Sequence, residues 1–497
     1  MASLSAYLRL FGAGWTLVRH DALLPRELDA YYPAGLRLVA GALRGFATHR
    51  TGRPGERLAQ ALEGLGPVAI KLGQFLSTRG DIFGRAFAED LGRLKDRLPP
   101  FASSVARAEV ARELGRPIEA VFSKFGEPVA AASLAQAHEA TLLDGRRVAV
   151  KVLRPGIERR VAEDSEVLEL VGDLIARWVP LARRLEPQAF AATVVRATQL
   201  ELDLRLEAAG ADELAEVMAK DAYMSTPKVI WEGVGKRCLT MAWAEGLPLS
   251  DEAALSQPGL DRKALADNLT RAFLAQALDH GVFHADLHEG NLFAAAPDRI
   301  IAVDFGIVGR LGATERRYLA EILWGFLNRD YSRVAQVHFD AGYVPAHHSV
   351  AAFAQALRAV GEPVFGQRAN GVAMSRVLTQ LFEITALYDM RLRPELVLLQ
   401  KTMVTVEGVA RRIDPEHDIW GASQPVVRRW IARELSPISR VKHLAGEAEA
   451  ALRNIARMSA PQPVPKPETT RSPPAVLWFA LGTAVAGLAF LVGRLLG

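Results

Sequence analysis

HADLHEGN at His284–Asn291 and IAVDFGIVG at Ile301–Gly309 are the two runs whose joint reading decides the fold. In the first, Asp286 and Asn291 stand five residues apart. That spacing lets one loop present a carboxylate to an attacking hydroxyl or water and an amide oxygen to a magnesium ion. In the second, the apolar run Ile300–Val303 reads as a strand that delivers Asp304 into a Phe-Gly turn, thirteen positions after Asn291. A short hairpin covers that distance and brings a second carboxylate to the same cation, and Mg²⁺ takes a few hard oxygen ligands of this kind. Asn291 and Asp304 are the candidate metal ligands, and Asp286 the candidate catalytic carboxylate.

Upstream, Arg147–Leu153 (RVAVKVL) alternates like a strand and follows the turn pair Asp144-Gly145, which reads as a β-hairpin with Lys151 on its second strand. Taken singly, each feature has a plainer reading: a solvent-facing lysine, a polar turn network, a Phe-Gly bend. In this order they describe a protein-kinase-like fold, in which the strand lysine, held by a glutamate, pairs with α- and β-phosphates. Glu166, 15 residues after Lys151, and Glu207 are rival partners for it. His284 and His288 lack a third nitrogen or sulfur ligand at suitable spacing and read as structural parts of the loop. Met241, Trp243 and Leu247 stand where a kinase hinge would meet adenine, and core packing explains those side chains equally well.

Around this centre the chain is helical from about Leu23 to Leu114, with breaks at Pro54-Gly55, Gly64–Pro67 and Pro99-Pro100. Helical spacing returns from Ile157 to Leu214, interrupted near Pro187, and from Ala313 to about Ala451. Lys228–Trp231 and Arg237–Trp243 read as strands. Half of the 497 residues are apolar and 23% are charged, a globular composition, and 60 basic against 56 acidic residues leave only +4. So small an average excess does not make a nucleic-acid binder. Cys238 is the only cysteine, so intrachain disulfides, thiolate zinc cages and iron-sulfur clusters are excluded, as fits a reducing compartment.

AAASLAQAHEA, Ala130–Ala140, occupies the place of a kinase glycine-rich loop, where alanine methyl groups restrict backbone approach to phosphates. No Ala-Pro-Glu follows Asp304, so an ordinary peptide-docking segment is not expected. With VAIKLGQFLSTRGDIF (Val68–Phe83), ELDLRLEAAGA (Glu201–Ala211), HADLHEGN and Asp304, the chain resembles the UbiB family of atypical kinases, which also contains the mitochondrial coenzyme Q kinase-like proteins. The match runs over roughly Gly64–Gly309. The resemblance implies that Lys71, Gly73 and Gln74 form the family's KxGQ segment. That helix would lie across the cleft as a lid, with Lys71 and Gln74 directed at the carboxylates, excluding a large protein substrate. It implies that Glu201 and Asp203, which spacing alone reads as solvated helix charge on different faces, are the ExD pair beside the nucleotide, and that Glu207 is the partner of Lys151. Ala130, Ala131, Ala132 and Ser133 would line the phosphates. Leu287 and Glu289 stand where the family's loop usually carries prolines.

Met1–His20 reads as an amphipathic helix rather than a secretory signal. At the other end Ala475–Gly493 is 19 residues without a charge, after a linker carrying Pro461, Pro463, Pro465, Pro467, Pro473 and Pro474. As a helix of about 28 Å it matches the hydrocarbon core of a bilayer. Arg453, Arg457, Lys466 and Arg471 precede it and Arg494 alone follows, which places the main body in the cytoplasm. Many bacterial relatives carry two such spans, and one is expected here. The fold expectation is α+β: a two-lobed kinase-like body with an N-terminal helical extension and a C-terminal transmembrane helix. The divisions are 1–120 (extension with the KxGQ lid), 121–246 (N-lobe with inserted helices), 247–455 (C-lobe), 456–474 (linker) and 475–493 (span). The resemblance further implies ATP or ADP with Mg²⁺, lipid-like quinone precursors, ubiquinone-biosynthesis enzymes as partners, and the inner membrane of a bacterium. A protein kinase acting in trans and a non-catalytic nucleotide-sensing scaffold are the alternatives.

Overall fold

Proline and glycine punctuate the N-terminal third of the computed structural model, which describes residues 4–434 apart from 25, 28–33, 49–50, 78–83, 93, 95–98, 179–185, 367–383, 385–386 and 391–393. Helices α1 (Leu4–Arg19), α2 (Ala34–Arg44), α3 (Pro54–Leu65), α4 (Pro67–Ser77), α5 (Arg85–Leu91) and α6 (Ser103–Leu114) follow one another. Pro54 and Pro67 each open a helix, where a missing N–H costs nothing, and Gly115 closes α6 at φ 65°. The Gly80-Asp81 pair of the KxGQ run lies outside the described residues.

The next segment is an antiparallel sheet of four strands in the order β1 (Phe122–Ala131), β2 (Ala135–Leu142), β3 (Arg147–Leu153), β4 (Cys238–Ala242). The β2–β3 hairpin turns at Asp144-Gly145, with Gly145 at φ 87°. β1 is a full strand, whereas the sequence gives only a small-residue segment there. Val148, Val150 and Val152 point to one face and pack with Ala106 and Val110 of α6, which leaves Lys151 on the other. Between β3 and β4 come the inserted helices α7 (Ile157–Trp178), α8 (Pro187–Leu200) and α9 (Leu204–Met218). The strand expected at Lys228–Trp231 contracts to a single bridge, Val229 to Met241, because the chain coils at once into a 3₁₀ turn at Trp231–Gly233.

After β5 (Leu247–Pro248) the chain enters α10 (Arg262–Ala275), capped by the Asp261 carboxylate, which accepts from the N–H of Ala264 at 2.9 Å. A π turn, Gln276–His280, leads to β6 (Val282–His284). β7 (Leu292–Ala295) and β8 (Arg299–Ala302) form the hairpin expected between the two signature runs, and β9 (Val308–Arg310) pairs back on β6. α11 (Ala313–Leu327), α12 (Tyr331–Asp340), α13 (Val350–Gly366), α14 (Pro394–Ile413) and α15 (Ile419–Glu434) complete the described chain. The main core runs from Val68 of α4 through Leu204 and Leu214 of α9 to Phe273, Val406 and Trp430, so residues up to Arg433 form one compact unit. Among the described residues no helix is long and apolar enough to cross a membrane. The proline linker and the span expected at 475–493 lie outside them.

One glycine fixes how β6 leaves the π turn. Gly281 sits at φ 72°, and a β-carbon there would stand 2.6 Å from the Leu311 carbonyl oxygen. Gly281→Ala is expected to lower unfolding stability by about 1–2 kcal/mol from the left-handed conformation alone, with the backbone clash adding to it. A chemical-denaturation midpoint equal to wild type would refute that account.

Candidate active site

Lys151 on β3 and Glu207 in the first turn of α9 come from segments 56 residues apart, and the Lys151 ammonium donates to Glu207 Oε1 at 2.8 Å and Oε2 at 2.9 Å. The same ammonium stands 3.4 Å from Asp304 Oδ1. Glu207, rather than Glu166, is therefore the lysine's partner. Burial works against the ammonium, and the Asp304 and Glu207 carboxylates overcome it, holding Lys151 protonated well above the ordinary lysine range. Burial pushes the Glu207 carboxyl up to about 7 while Lys151 pulls it down. Asp304 is held below the usual carboxylate range by the Lys151 charge, so it is ionised at neutral pH, and half of its side chain stays accessible.

The local backbone explains how Asp304 reaches this position. It sits at φ 62°, in the left-handed region that aspartate tolerates better than most residues, and its Oδ1 accepts from the Gly306 N–H at 3.4 Å. Gly210 lets α9 approach this turn: a β-carbon there would meet Val308 at 3.1 Å and the Phe305 carbonyl at 3.6 Å. His284 bolts the catalytic loop to the strand before Asp304. Its Nδ1 accepts from the Asp286 N–H at 3.1 Å and its Nε2 lies 3.2 Å from the Val303 carbonyl, so both ring nitrogens are engaged; burial lowers its pKa. His288 uses Nδ1 to cap the short turn Glu289–Asn291, accepting from Gly290 N–H.

The hairpin ties the backbone of Asn291 to the strand that ends at Asp304. The Val303 N–H donates to the Asn291 carbonyl at 2.9 Å, and the Leu292–Ala302 pairing sets the register. The Asn291 amide nitrogen donates to the Asp286 carbonyl at 3.0 Å, which turns its oxygen the other way. An amide oxygen and an ionised carboxylate are hard oxygen donors of the kind Mg²⁺ takes. The donor set thus fits the ion that sequence spacing implied.

Lys71 of α4 forms an ion pair with Glu201 Oε1 at 2.6 Å. Burial raises the Glu201 pKa and Lys71 opposes that, and the Asp304 and Lys151 charges also act on it. Gln74 lies one turn further along α4, half-buried. Gly73 permits α4 to pack on Leu62 and Leu94, and Phe75 meets Phe190 of α8 edge-on at 6.4 Å. Glu201 and Asp203 do not share a helix, as spacing alone suggested: Glu201 is the C-cap of α8 and Asp203 the N-cap of α9. The Asp203 carboxylate accepts from the Arg205 N–H and pairs with the Arg205 guanidinium at 2.6 Å, so the structure gives it a capping position rather than bringing it to the cluster.

Ala130 and Ala131 end β1, paired with Ala137 and Gln136, and Ala132 and Ser133 form the turn. The Ala132 N–H donates to the Ala135 carbonyl at 2.8 Å, and Arg154 Nε donates to the Ala132 carbonyl at 2.9 Å. Ser133 is buried. Arg154 and two residues of α14 escaped the sequence reading. Lys401 Nζ stands 3.9 Å from Asp286 Oδ1, and Thr402 Oγ1 donates to the Ala285 carbonyl at 3.1 Å. The one sequence signal was a lysine-threonine pair within an apolar helix.

Residues 93–338 match the ABC1 atypical kinase-like domain, and residues 357–418 match the UbiB helical domain. The chain belongs to the UbiB family. It is 37% identical to a probable protein kinase UbiB of Marinobacter nauticus over 88% of this chain and 81% of the relative. A Pseudomonas putida protein of the same name is 40% identical over 80% and 74%. A Mycobacterium tuberculosis protein solved with erythromycin shares the fold, with a TM-score of 0.53 and 22% identity over 79% of this chain and 98% of its own. UbiB membership and the kinase-like fold agree with the sequence reading.

The Lys71–Glu201 pair generates a pH-dependent expectation. In Lys71→Met the Glu201 carboxyl loses its compensating charge, and its folded-state pKa rises further above the unfolded value of about 4.3. A raised carboxyl pKa costs stability as pH climbs through and above the unfolded value. The melting-temperature deficit of Lys71→Met is therefore expected to be larger at pH 8 than at pH 5, and to shrink in Lys71→Met/Glu201→Gln. An equal deficit at both pH values would contradict it.

Proposed function

We propose that this UbiB-family chain is a membrane-anchored atypical kinase or ATPase that uses Mg-nucleotide and supports ubiquinone biosynthesis at the inner membrane of a bacterium. The observation that carries the catalytic part is the Lys151 ammonium bound by Glu207 and facing Asp304, beside a loop that presents Asp286 and Asn291. In this reading Lys151, oriented by Glu207, binds the α- and β-phosphates, and Asn291 and Asp304 hold Mg²⁺. The bound ion supplies neutralisation of charge developing on the transferred phosphoryl group. Asp286 orients the acceptor and takes its proton, with Lys401 Nζ 3.9 Å from its Oδ1. In this reading α4, tied through Lys71 to Glu201, acts as the lid, which favours water or a lipid hydroxyl over a protein side chain as acceptor. The quinone pathway rests on family resemblance.

The membrane part is supported at both ends of the chain. The apolar run at 475–493 has the length of one span. Leu4, Leu8 and Phe11 of α1 are 78, 68 and 75% exposed and lie along one helix face, a pattern suited to the interfacial region of a bilayer.

Purified full-length protein is expected to hydrolyse ATP in a Mg²⁺-dependent manner, and Asp304→Asn to lower kcat by on the order of 10²-fold or more while keeping a cooperative melting transition. Full activity in that variant would overturn the assignment. Complementation of a quinone-deficient strain by Asp304→Asn would instead support the scaffold alternative. Carbonate extraction tests the anchor: the full chain should stay with the membrane pellet, and deletion of 475–493 should release it to the supernatant.

A further inference from the structure

Away from the nucleotide cleft, two imidazoles and a carboxylate converge between the turn before α13 and the turn before α14. The ligand atoms of His347, His348 and Asp389 all lie within 4.8 Å of one another. His348 Nε2 is 3.2 Å and His347 Nε2 3.7 Å from the same oxygen, Asp389 Oδ2. We propose that these residues form a binding site for a divalent first-row transition-metal ion, with Zn²⁺ the best match.

Pairing alone does not account for this arrangement. One carboxylate oxygen faces two imidazoles, and only His348 comes within hydrogen-bonding distance of it. The two rings stand 4.1 Å apart at their centroids. A single cation takes a lone pair from each Nε2 and one from the carboxylate. With Zn²⁺ bonds of about 2.0–2.1 Å, tetrahedral ligand atoms are spaced about 3.3 Å apart, so small side-chain rotations close the site. Two imidazole nitrogens and one carboxylate oxygen with no thiolate select Zn²⁺, Ni²⁺ or Co²⁺ over Mg²⁺ and Ca²⁺. The accessible side, where His347 and Asp389 are 67 and 68% exposed, leaves a position for water.

The inner half of the site is preorganised. The His348 ring rests on Tyr388 at 5.2 Å, and Tyr388 rests on the fully buried Phe353 at 4.9 Å. The His348 N–H donates to the Pro345 carbonyl at 3.2 Å, fixing the turn that carries both histidines. Asp389 is held at φ 50°, a conformation uncommon for a residue other than glycine. A bound ion would clip segments 41 residues apart and restrain the approach to α14, the helix whose Lys401 and Thr402 touch the catalytic loop. None of this depends on the nucleotide reading.

The test uses full-length protein without a histidine tag, stripped with chelator and titrated with Co²⁺ and then Zn²⁺. The expected result is one equivalent of Co²⁺ with tetrahedral visible absorption, displaced by Zn²⁺, and a Zn²⁺-dependent rise in melting temperature. Asp389→Asn and His347→Ala, both at exposed positions, should each weaken binding at least tenfold while retaining the metal-free melting profile. Absence of saturable binding, or binding undiminished in His347→Ala/Asp389→Asn, would overturn the assignment.

Discussion

A lysine ammonium held between two carboxylates is the constraint on which the rest of the site depends. Lys151 arrives on β3, Glu207 on α9 and Asp304 on a turn after β8, and none of these segments adjoins another in sequence. Charges taken from water are tolerated only when paired, and removing one partner of such a pair commonly costs about 3–5 kcal/mol. The cluster therefore tells the inserted helices where to dock: α9 must present Glu207 under the sheet, and Gly210 one turn later must let it lie against the Asp-Phe-Gly turn. The apolar residues of α9, Leu204, Ala208, Ala211 and Leu214, supply the adhesion, and the ion pair sets the register.

The charges also fail to balance. Lys71 and Lys151 face Glu201, Glu207 and Asp304, two cations against three carboxylates. The excess negative charge appears as raised pKa values at Glu201 and Glu207, where burial is the largest cause and Asp304 contributes. Asp304, nearest to solvent and beside Lys151, takes the charge instead. Among the described residues the cluster thus keeps a net negative charge, with the ionised Asp304 at its accessible edge, which prepares it electrostatically for a cation.

How far the sequence could be read follows from the range of each interaction. The Asp144-Gly145 hairpin, the β7–β8 hairpin and the Asp286–Asn291 loop are local, and their turn residues and alternation were visible directly. The choice of Glu207 over Glu166 needed a family resemblance, because three helices follow β3 and periodicity does not say which of them turns back toward it. Glu201 and Asp203 looked like neighbours on one helix because nothing in ELD announces that α8 ends between them and that Asp203 caps the next helix. Lys401 was invisible for the same reason that long-range contacts usually are: within α14 it is a charged residue on an otherwise ordinary helix, and its meaning comes from a loop 115 positions earlier.

The alanine turn closes the mechanistic argument. A glycine-rich loop holds phosphates by aiming unsatisfied backbone N–H groups at them. Here the Ala132 N–H is already bonded to the Ala135 carbonyl, its own carbonyl accepts from Arg154, and the Ser133 side chain is buried. Freeing the Ala132 N–H would break its bond to the Ala135 carbonyl. Under the proposed function, charged side chains, above all Lys151, would carry more of the phosphate recognition than the Ala132 N–H. In that proposed role the bidentate seat of Lys151 on Glu207 would matter more than in a kinase whose loop shares the task.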